Sequence, residues 1–271
     1  MKAGQVVTQV APSVHSRLYW TLADTLVLAR RQLIKIPRNP DELVTSTLQP
    51  VLFVVLFRYV FGGAIAVSGT SYVNFLVAGI LVQSVILGSA FTGIGIAADL
   101  KGGLVDRFRS LPMAKSAVLT GRTLADLIRS TFIVLIVWMV GLLVGFRPEG
   151  SPLAWLEALG LVLLASFMFS WFSALLGLLL SSVEAVQQSI VVWAFPLMFV
   201  SSALVPTSTM PDWLRVFADH QPVTLLINAV RGLVLNRPDA SATWQTIVGC
   251  AGLLLLFIPL AVAAYGRRTA R

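Results

Sequence analysis

The side chains able to do acid–base, nucleophilic or metal chemistry are few and scattered. His15 and His220 are the two histidines in 271 residues, and Cys250 is the single cysteine. Zinc binding needs His and Cys ligands in spaced pairs, and no such pair exists. A phosphate cradle of the G-x-x-x-x-G-K-[ST] type needs a lysine closing a glycine turn, and Lys2, Lys35, Lys101 and Lys115 all lie outside that pattern. The nearest carboxylate pairs, Asp99 with Asp106 and Asp212 with Asp219, are spaced as the charged rims of short helices. The expectation is a chain with no catalytic residue, no metal and no bound cofactor, in which any ATP dependence comes from a partner.

What the charged residues can do is dock. Between Asp99 and Arg122 the sequence reads DLKGGLVDRFRSLPMAKSAVLTGR. Leu100, Leu104, Phe108 and Leu111 recur at helical spacing, Asp106, Arg107 and Arg109 lie off that stripe, and Pro112 stops the turn. A short helix with an apolar stripe and a charged rim suits a groove on another protein. The alternative is an ordinary basic loop that holds topology.

The elements around this segment are set by composition. Hydrophobic residues make up 57% of the chain and charged residues 12%, about half the charged share of a soluble domain. The mean hydropathy is +0.85. With so little polar surface available, the outer solvent is lipid. The net charge of +8 then reads as topology-setting Lys and Arg and not as a nucleic-acid footprint. Six stretches have the roughly 20 apolar residues a span requires: 43–62, 73–98, 127–146, 158–181, 186–205 and 246–265. The absence of twofold alternation rules out a barrel, so the predicted fold is an all-α integral membrane protein, one six-helix bundle over 1–271. No cleavable signal peptide is evident, so the first span is expected to serve as the insertion signal.

Most Lys and Arg residues fall before the first span, between the second and third, and after the sixth, which predicts both termini cytoplasmic. In that sorting Arg122 and Arg129 are counted with the loop, and Arg58 lies near the outer end of the first span. Over 17–38, Leu18, Leu22, Leu26, Ala29, Leu33 and Ile36 share one arc opposite Arg17, Asp24, Arg31, Lys35 and Arg38, the pattern of an amphipathic interfacial helix. A soluble helix packed on a partner is the alternative. Over 211–235, Pro211 and Pro222 open two apolar stretches too short to cross, which predicts short helices lying at or dipping into the outer surface.

The span interiors hold uncharged polar residues, Gln49, Gln83, Gln187 and Gln188, suited to interhelical hydrogen bonds or to substrate contact. Ion-coupled carriers bury ionisable groups at mid-membrane. An ion-coupled secondary transporter is therefore the rival reading, and the scarcity of such groups counts against it.

In this order and in these loops, the motifs resemble the permease subunits of type-2 ABC exporters, in particular the daunorubicin-resistance branch, over nearly the whole chain. One is a D-x-x-G-x-x-x-R-x-x-x-L-P pattern, present as Asp99, Gly103, Arg107, Leu111 and Pro112, with the glycine one place late unless Gly102 supplies it. The other is the outer stretch from Val205-Pro206 through Pro211-Asp212-Trp213-Leu214, His220-Gln221-Pro222 and Ala229-Val230-Arg231-Gly232. The resemblance implies that 99–112 is a coupling helix, with Asp99, Gly102, Gly103, Leu104, Arg107, Phe108, Leu111 and Pro112 facing a separate ATP-binding subunit. It implies that ATP and Mg bind on that partner and that a second permease, identical or paralogous, completes the unit. It also implies a bacterial cytoplasmic membrane, an amphipathic drug or lipid-like substrate moved outward, and external helices marked by Pro211, Trp213, His220, Pro222 and Arg231. A pathway formed by the first, second and fifth spans points to Phe53, Phe57, Gln83, Gln187, Trp193 and Phe199 as lining.

Overall fold

The computed structural model describes residues 17–35, 40–65, 67, 69–102 and 115–270. Among them the chain is helical, without strands: α1 (Arg17–Lys35), α2 (Pro40–Leu56), α3 (Tyr72–Lys101), α4 (Lys115–Leu143), α5 (Pro152–Leu179), α6 (Val183–Phe199), α7 (Asp212–His220), α8 (Pro222–Val234) and α9 (Ala240–Ala270). A π-helical turn, Phe57–Phe61, extends α2.

Five of these helices are long and apolar enough to cross a membrane: α2 with its π turn, α3, α4, α5 and α9. The predicted fifth span emerges as α6, 17 residues ending at Phe199. At 1.5 Å per residue it is about 26 Å long, short of a hydrocarbon core of about 30 Å.

The helix starts follow from local chemistry. Ser71 and Ser151 accept backbone N–H groups of Asn74 and Ala154 at 3.3 and 3.2 Å, capping α3 and α5, and Pro152 occupies the first turn of α5. Ser182 caps α6 through the N–H of Ala185 at 3.1 Å. Pro50, Pro196 and Pro259 lie inside helices, which membrane helices tolerate because neighbours re-satisfy the freed carbonyls.

α3 is the hub, packed on by α2, α4, α5, α6 and α8. In its most apolar stretch 83% of residues are buried, against 17% in α2 and 11% in α9. A helix apolar all round belongs inside; α2 and α9 form the rim, whose apolar surface needs lipid or another chain. Small residues let the hub's neighbours approach. A Cβ on Gly79 would overlap the backbone carbonyl of Ala203, and one on Gly177 would overlap that of Gly93, which ties α3 to the segment after α6 and to α5.

α1 packs along α4, where a Cβ on Gly121 would press on Leu28 and on the α1 backbone. Among its described side chains Thr25, Leu28 and Ala29 are buried, while Leu26 and Val27 are each 66% exposed. Of the predicted apolar arc, Ala29 is buried, Leu33 half-buried and Leu26 exposed, while Leu18, Leu22 and Ile36 lie outside the side chains described.

The third membrane helix begins at Lys115, twelve residues before the predicted start of the span. This corrects the placement of Arg122 and Arg129, which lie on α4 and not in the loop. Arg58 does not merely reach outward either, since its Nε donates to the carbonyl of Val144 at 3.3 Å, at the end of α4.

Candidate functional site

Three places on the hub gather polar side chains. At the Asp99 end, Asp99 near the close of α3 pairs with Arg122 of α4 at 2.7 Å. Gly95, one turn earlier, makes room for the guanidinium, which a Cβ there would overlap. Leu28, Arg31 and Gln32 of α1, Ile96 of α3, Leu119 of α4 and Tyr265 of α9 line the same narrow pocket. Arg268 of α9 donates from Nε to the carbonyl of Leu178 at 3.0 Å, holding α9 to the end of α5. Glu184 opens α6 with its carboxyl held below the usual carboxylate range by a backbone hydrogen bond in its own turn, then by Ser182, with Lys101 adding attraction. Four helices therefore meet where the chain leaves α3 for the docking segment. Of the residues expected to face the ATP-binding subunit, Asp99 and Gly102 are in this junction; Gly103, Leu104, Arg107, Phe108, Leu111 and Pro112 lie outside the described residues.

Midway along α3 is a buried ionic cluster. Arg129 and Asp126 of α4 form an ion pair, and Ser170 of α5 donates to the second oxygen of Asp126. The guanidinium also donates to the carbonyl of Gly88 at 2.5 Å and lies 4.8 Å from the centre of the Phe91 ring. One turn on, Ser166 donates to Ser130 at 2.8 Å, and Ser173 accepts the N–H of Gly93 at 3.1 Å. Every ionised group here has an opposite charge or a dipole against it, as a buried pair requires. The spans, read from the sequence as nearly empty of ionisable groups, thus hold one buried ion pair that the sequence reading did not place there. The available signal was Asp126 and Arg129 at i,i+3 on α4, matched by Ser166, Ser170 and Ser173 at i,i+4,i+7 on α5. Serines barely lower hydropathy, so the stripe passes unnoticed in an apolar helix.

The third place is a slot between α2 and α3, lined by Thr45, Ser46, Gln49, Pro50 and Phe53 on one side and by Ile80, Gln83, Ser84, Leu87, Gly88 and Phe91 on the other. Its free space is about 40 Å³. Gln83 is 2% exposed, and neither its amide nitrogen nor its oxygen has a hydrogen-bond partner among the described residues.

The residues expected to line a pathway divide accordingly. Phe53 and Gln83 share the slot, and Phe57 is edge-on to Phe53 at 6.0 Å. Trp193 of α6 stacks on Phe169 of α5 at 5.8 Å and meets Phe172 edge-on at 4.9 Å. Gln187 is exposed, and Phe199 is 55% exposed and stacked on Phe195. The six thus fall into two groups, one on α2 and α3 and the other on α6.

At the far end of α3, α7 and α8 pack against each other. Pro211 precedes α7 and Pro222 opens α8. Trp213 is 76% exposed. His220 ends α7, with Nδ1 2.8 Å from the carbonyl of Val216. Arg231 is not a free outer charge. It donates from Nε to the carbonyl of Phe75 at 3.2 Å and from Nη2 to that of Ser202 at 2.6 Å, and it lies 3.6 Å over the Phe75 ring. That contact ties α8 to the hub.

Long apolar helices around one buried hub define a multi-pass membrane protein. The family model for ABC-2 type transporters matches residues 23–235. The chain is 30% identical over 268 residues to the daunorubicin resistance ABC transporter permease protein DrrB1 of Streptomyces coeruleorubidus, covering 99% of this chain and 95% of that one. It is 28% identical to the probable doxorubicin resistance ABC transporter permease protein DrrC of Mycobacterium tuberculosis, over 89% of this chain and 88% of the relative. Identity is also 28% to the putative transport permease ycf38 of Cyanophora paradoxa, over 79% and 75% of the two. The chain belongs to the ABC-2 type transporter family, as a transport permease.

Proposed function

We propose that this chain is the membrane half of an exporter that moves amphipathic or lipid-like molecules, drugs among them, out across a bacterial cytoplasmic membrane. A separate ATP-binding subunit, carrying ATP and Mg, supplies the force. The observation that carries the reading is the end-to-end similarity to a daunorubicin resistance permease, over 99% of this chain. In this reading α6 is a sixth crossing completed by residues 200–205, α7 and α8 are external, both termini are cytoplasmic, and α1 lies in the inner interface. The helix-rich junction around Asp99 and Arg122 supports a mechanical role for the segment that follows, because α1, α3, α4 and α9 all meet there. Closure of the ATPase dimer moves the docked 99–112 segment and shifts the permease toward an outward-releasing state. A second permease, identical or paralogous, would cover the apolar rim of α2 and the exposed Val191, Val192, Phe195 and Phe199 of α6. Phe53, Phe57, Gln83, Gln187, Trp193 and Phe199 remain the proposed lining.

The buried ion pair does not favour an ion-coupled carrier, since Asp126 and Arg129 neutralise each other. The test is transport of daunorubicin into inverted vesicles holding the permease and its co-expressed ATP-binding subunit. Uptake is expected with ATP and not with a non-hydrolysable analogue. Arg107→Glu or Phe108→Ala is expected to uncouple hydrolysis from uptake while leaving insertion intact. Uptake by the permease alone under a proton or sodium gradient would overturn the reading.

A further inference from the structure

The slot between α2 and α3 holds a buried carboxamide, that of Gln83, with no hydrogen-bond partner among the described residues. A buried carboxamide without partners costs free energy comparable to its lost hydration, and such groups in a folded protein call for a ligand or an ordered water. Gln83 lies on the floor with Ile80, itself 0% exposed, whereas Thr45 and Gln49 at the mouth are exposed. Ser84 directs its hydroxyl proton to the carbonyl of Leu81 at 2.7 Å, leaving its oxygen free to accept. The floor is held from behind, because Gly88 and Phe91, which line the slot, are also the contacts of the Arg129 guanidinium.

We infer that this slot is a recognition subsite for a neutral group bearing a hydrogen-bond donor beside an acceptor, carried on an apolar body; this rests on the exporter reading for its cargo. Three features select that chemistry. No lining residue is charged, so an ion entering the slot would find no counter-charge. A carboxamide presents its acceptor and its donor side by side, and a lactam, an amide or a hydroxy-ketone edge meets both at once. The free space of about 40 Å³ admits such an edge but not a ring system, so the apolar body rests at the mouth against Phe53 and the polar edge enters.

The test compares two neutral bicyclic probes, 2-quinolinone, which carries N–H beside C=O, and N-methyl-2-quinolinone, in which the donor is blocked. Binding of each tritiated probe is measured on the permease assembled with its ATP-binding subunit in lipid nanodiscs, with empty nanodiscs subtracted. The wild-type complex is expected to prefer the lactam about tenfold, the worth of one net hydrogen bond, and Gln83→Leu to erase the preference. Equal binding of the two probes, a preference that survives Gln83→Leu, or no binding of either overturns the inference and leaves the slot to water. Should Gln83→Leu not assemble, Phe53→Trp decides: blocking the mouth is expected to weaken lactam binding at least fivefold, and unchanged binding overturns the subsite. ATP-driven daunorubicin uptake, measured in parallel, separates the two claims. Uptake without lactam preference removes the slot alone; preference without uptake removes the exporter reading alone.

Discussion

Two polar spots on the same helix behave in opposite ways. Toward α4 and α5, α3 meets Asp126, Arg129 and Ser170, where charge faces charge and the Gly88 carbonyl takes a further donor. Toward α2, Gln83 stands in a slot with both amide atoms unmet. In a low-dielectric interior a satisfied network rigidifies the helices that share it, and an unsatisfied polar group costs stability. The closed spot therefore marks the rigid block of the bundle, α3 with α4 and α5. The open spot lies at the contact of α3 with α2, where the proposed subsite would take its ligand. Burial draws the same line, with 83% of the central stretch of α3 inside and 17% of that of α2.

The largest effect that could break this contrast is loss of one partner of the ion pair. Asp126→Ala leaves the Arg129 charge buried without its carboxylate, and the expected destabilisation is about 3–5 kcal/mol, read as a lowered denaturation midpoint of the purified permease in micelles. Replacing both, Asp126→Leu with Arg129→Met, is expected to recover most of that loss. A cost below about 1 kcal/mol for the single change would mean the pair does not hold the block together.

Next comes the closeness of the hub to its neighbours. Gly79→Val puts side-chain atoms into the Ala203 backbone and is expected to cost about 1–3 kcal/mol. Gly252→Ala on α9, where a Cβ would meet nothing within 4 Å, is expected to be silent in the same unfolding assay. Equal effects of the two would show that α3 is not packed more tightly than the rim.

Much of this arrangement was legible in the residues. The apolar runs at 73–98 and 158–181 announce α3 and α5, whose observed starts at Tyr72 and Pro152 are capped by Ser71 and Ser151. Pro211 and Pro222 announce α7 and α8. The start of α4 was not legible, because Lys115, Arg122 and Arg129 pull local hydropathy down. The helix continues through Arg122 and Arg129 because each has a carboxylate partner, Asp126 three residues before Arg129 on the same helix and Asp99 of α3 beside Arg122, and only the second is brought near by tertiary structure. Arg231 misleads in the same way, reading as an outer-loop charge while its donors are spent on the carbonyls of Phe75 and Ser202. Of the site, Gln83 stood out as a polar residue in a span, but nothing in the sequence distinguishes it from Gln187, which the bundle leaves exposed.

The junction at Asp99 lies between the two extremes. Its pair with Arg122 keeps 29% of the Asp99 and 19% of the Arg122 side chain in contact with solvent. Arg122→Ala is accordingly expected to cost no more than about 1 kcal/mol, and less at high salt. A salt-independent loss as large as that of Asp126→Ala would move this junction into the rigid block.

The smallest expected effect is the sharpest. Gln83→Leu removes a buried donor and acceptor that have no partners among the described residues and replaces them with an apolar group of similar volume, in a slot already walled by Phe53, Ile80, Leu87 and Phe91. Where a polar group is hydrogen-bonded, such a change is destabilising; where it is not, the desolvation cost of the group disappears with it. The denaturation midpoint of the permease is therefore expected to stay level or to rise, by no more than about 1 kcal/mol in unfolding free energy. A loss of 1 kcal/mol or more would show that the amide is bonded in the working protein, and the two polar faces of α3 would then be alike.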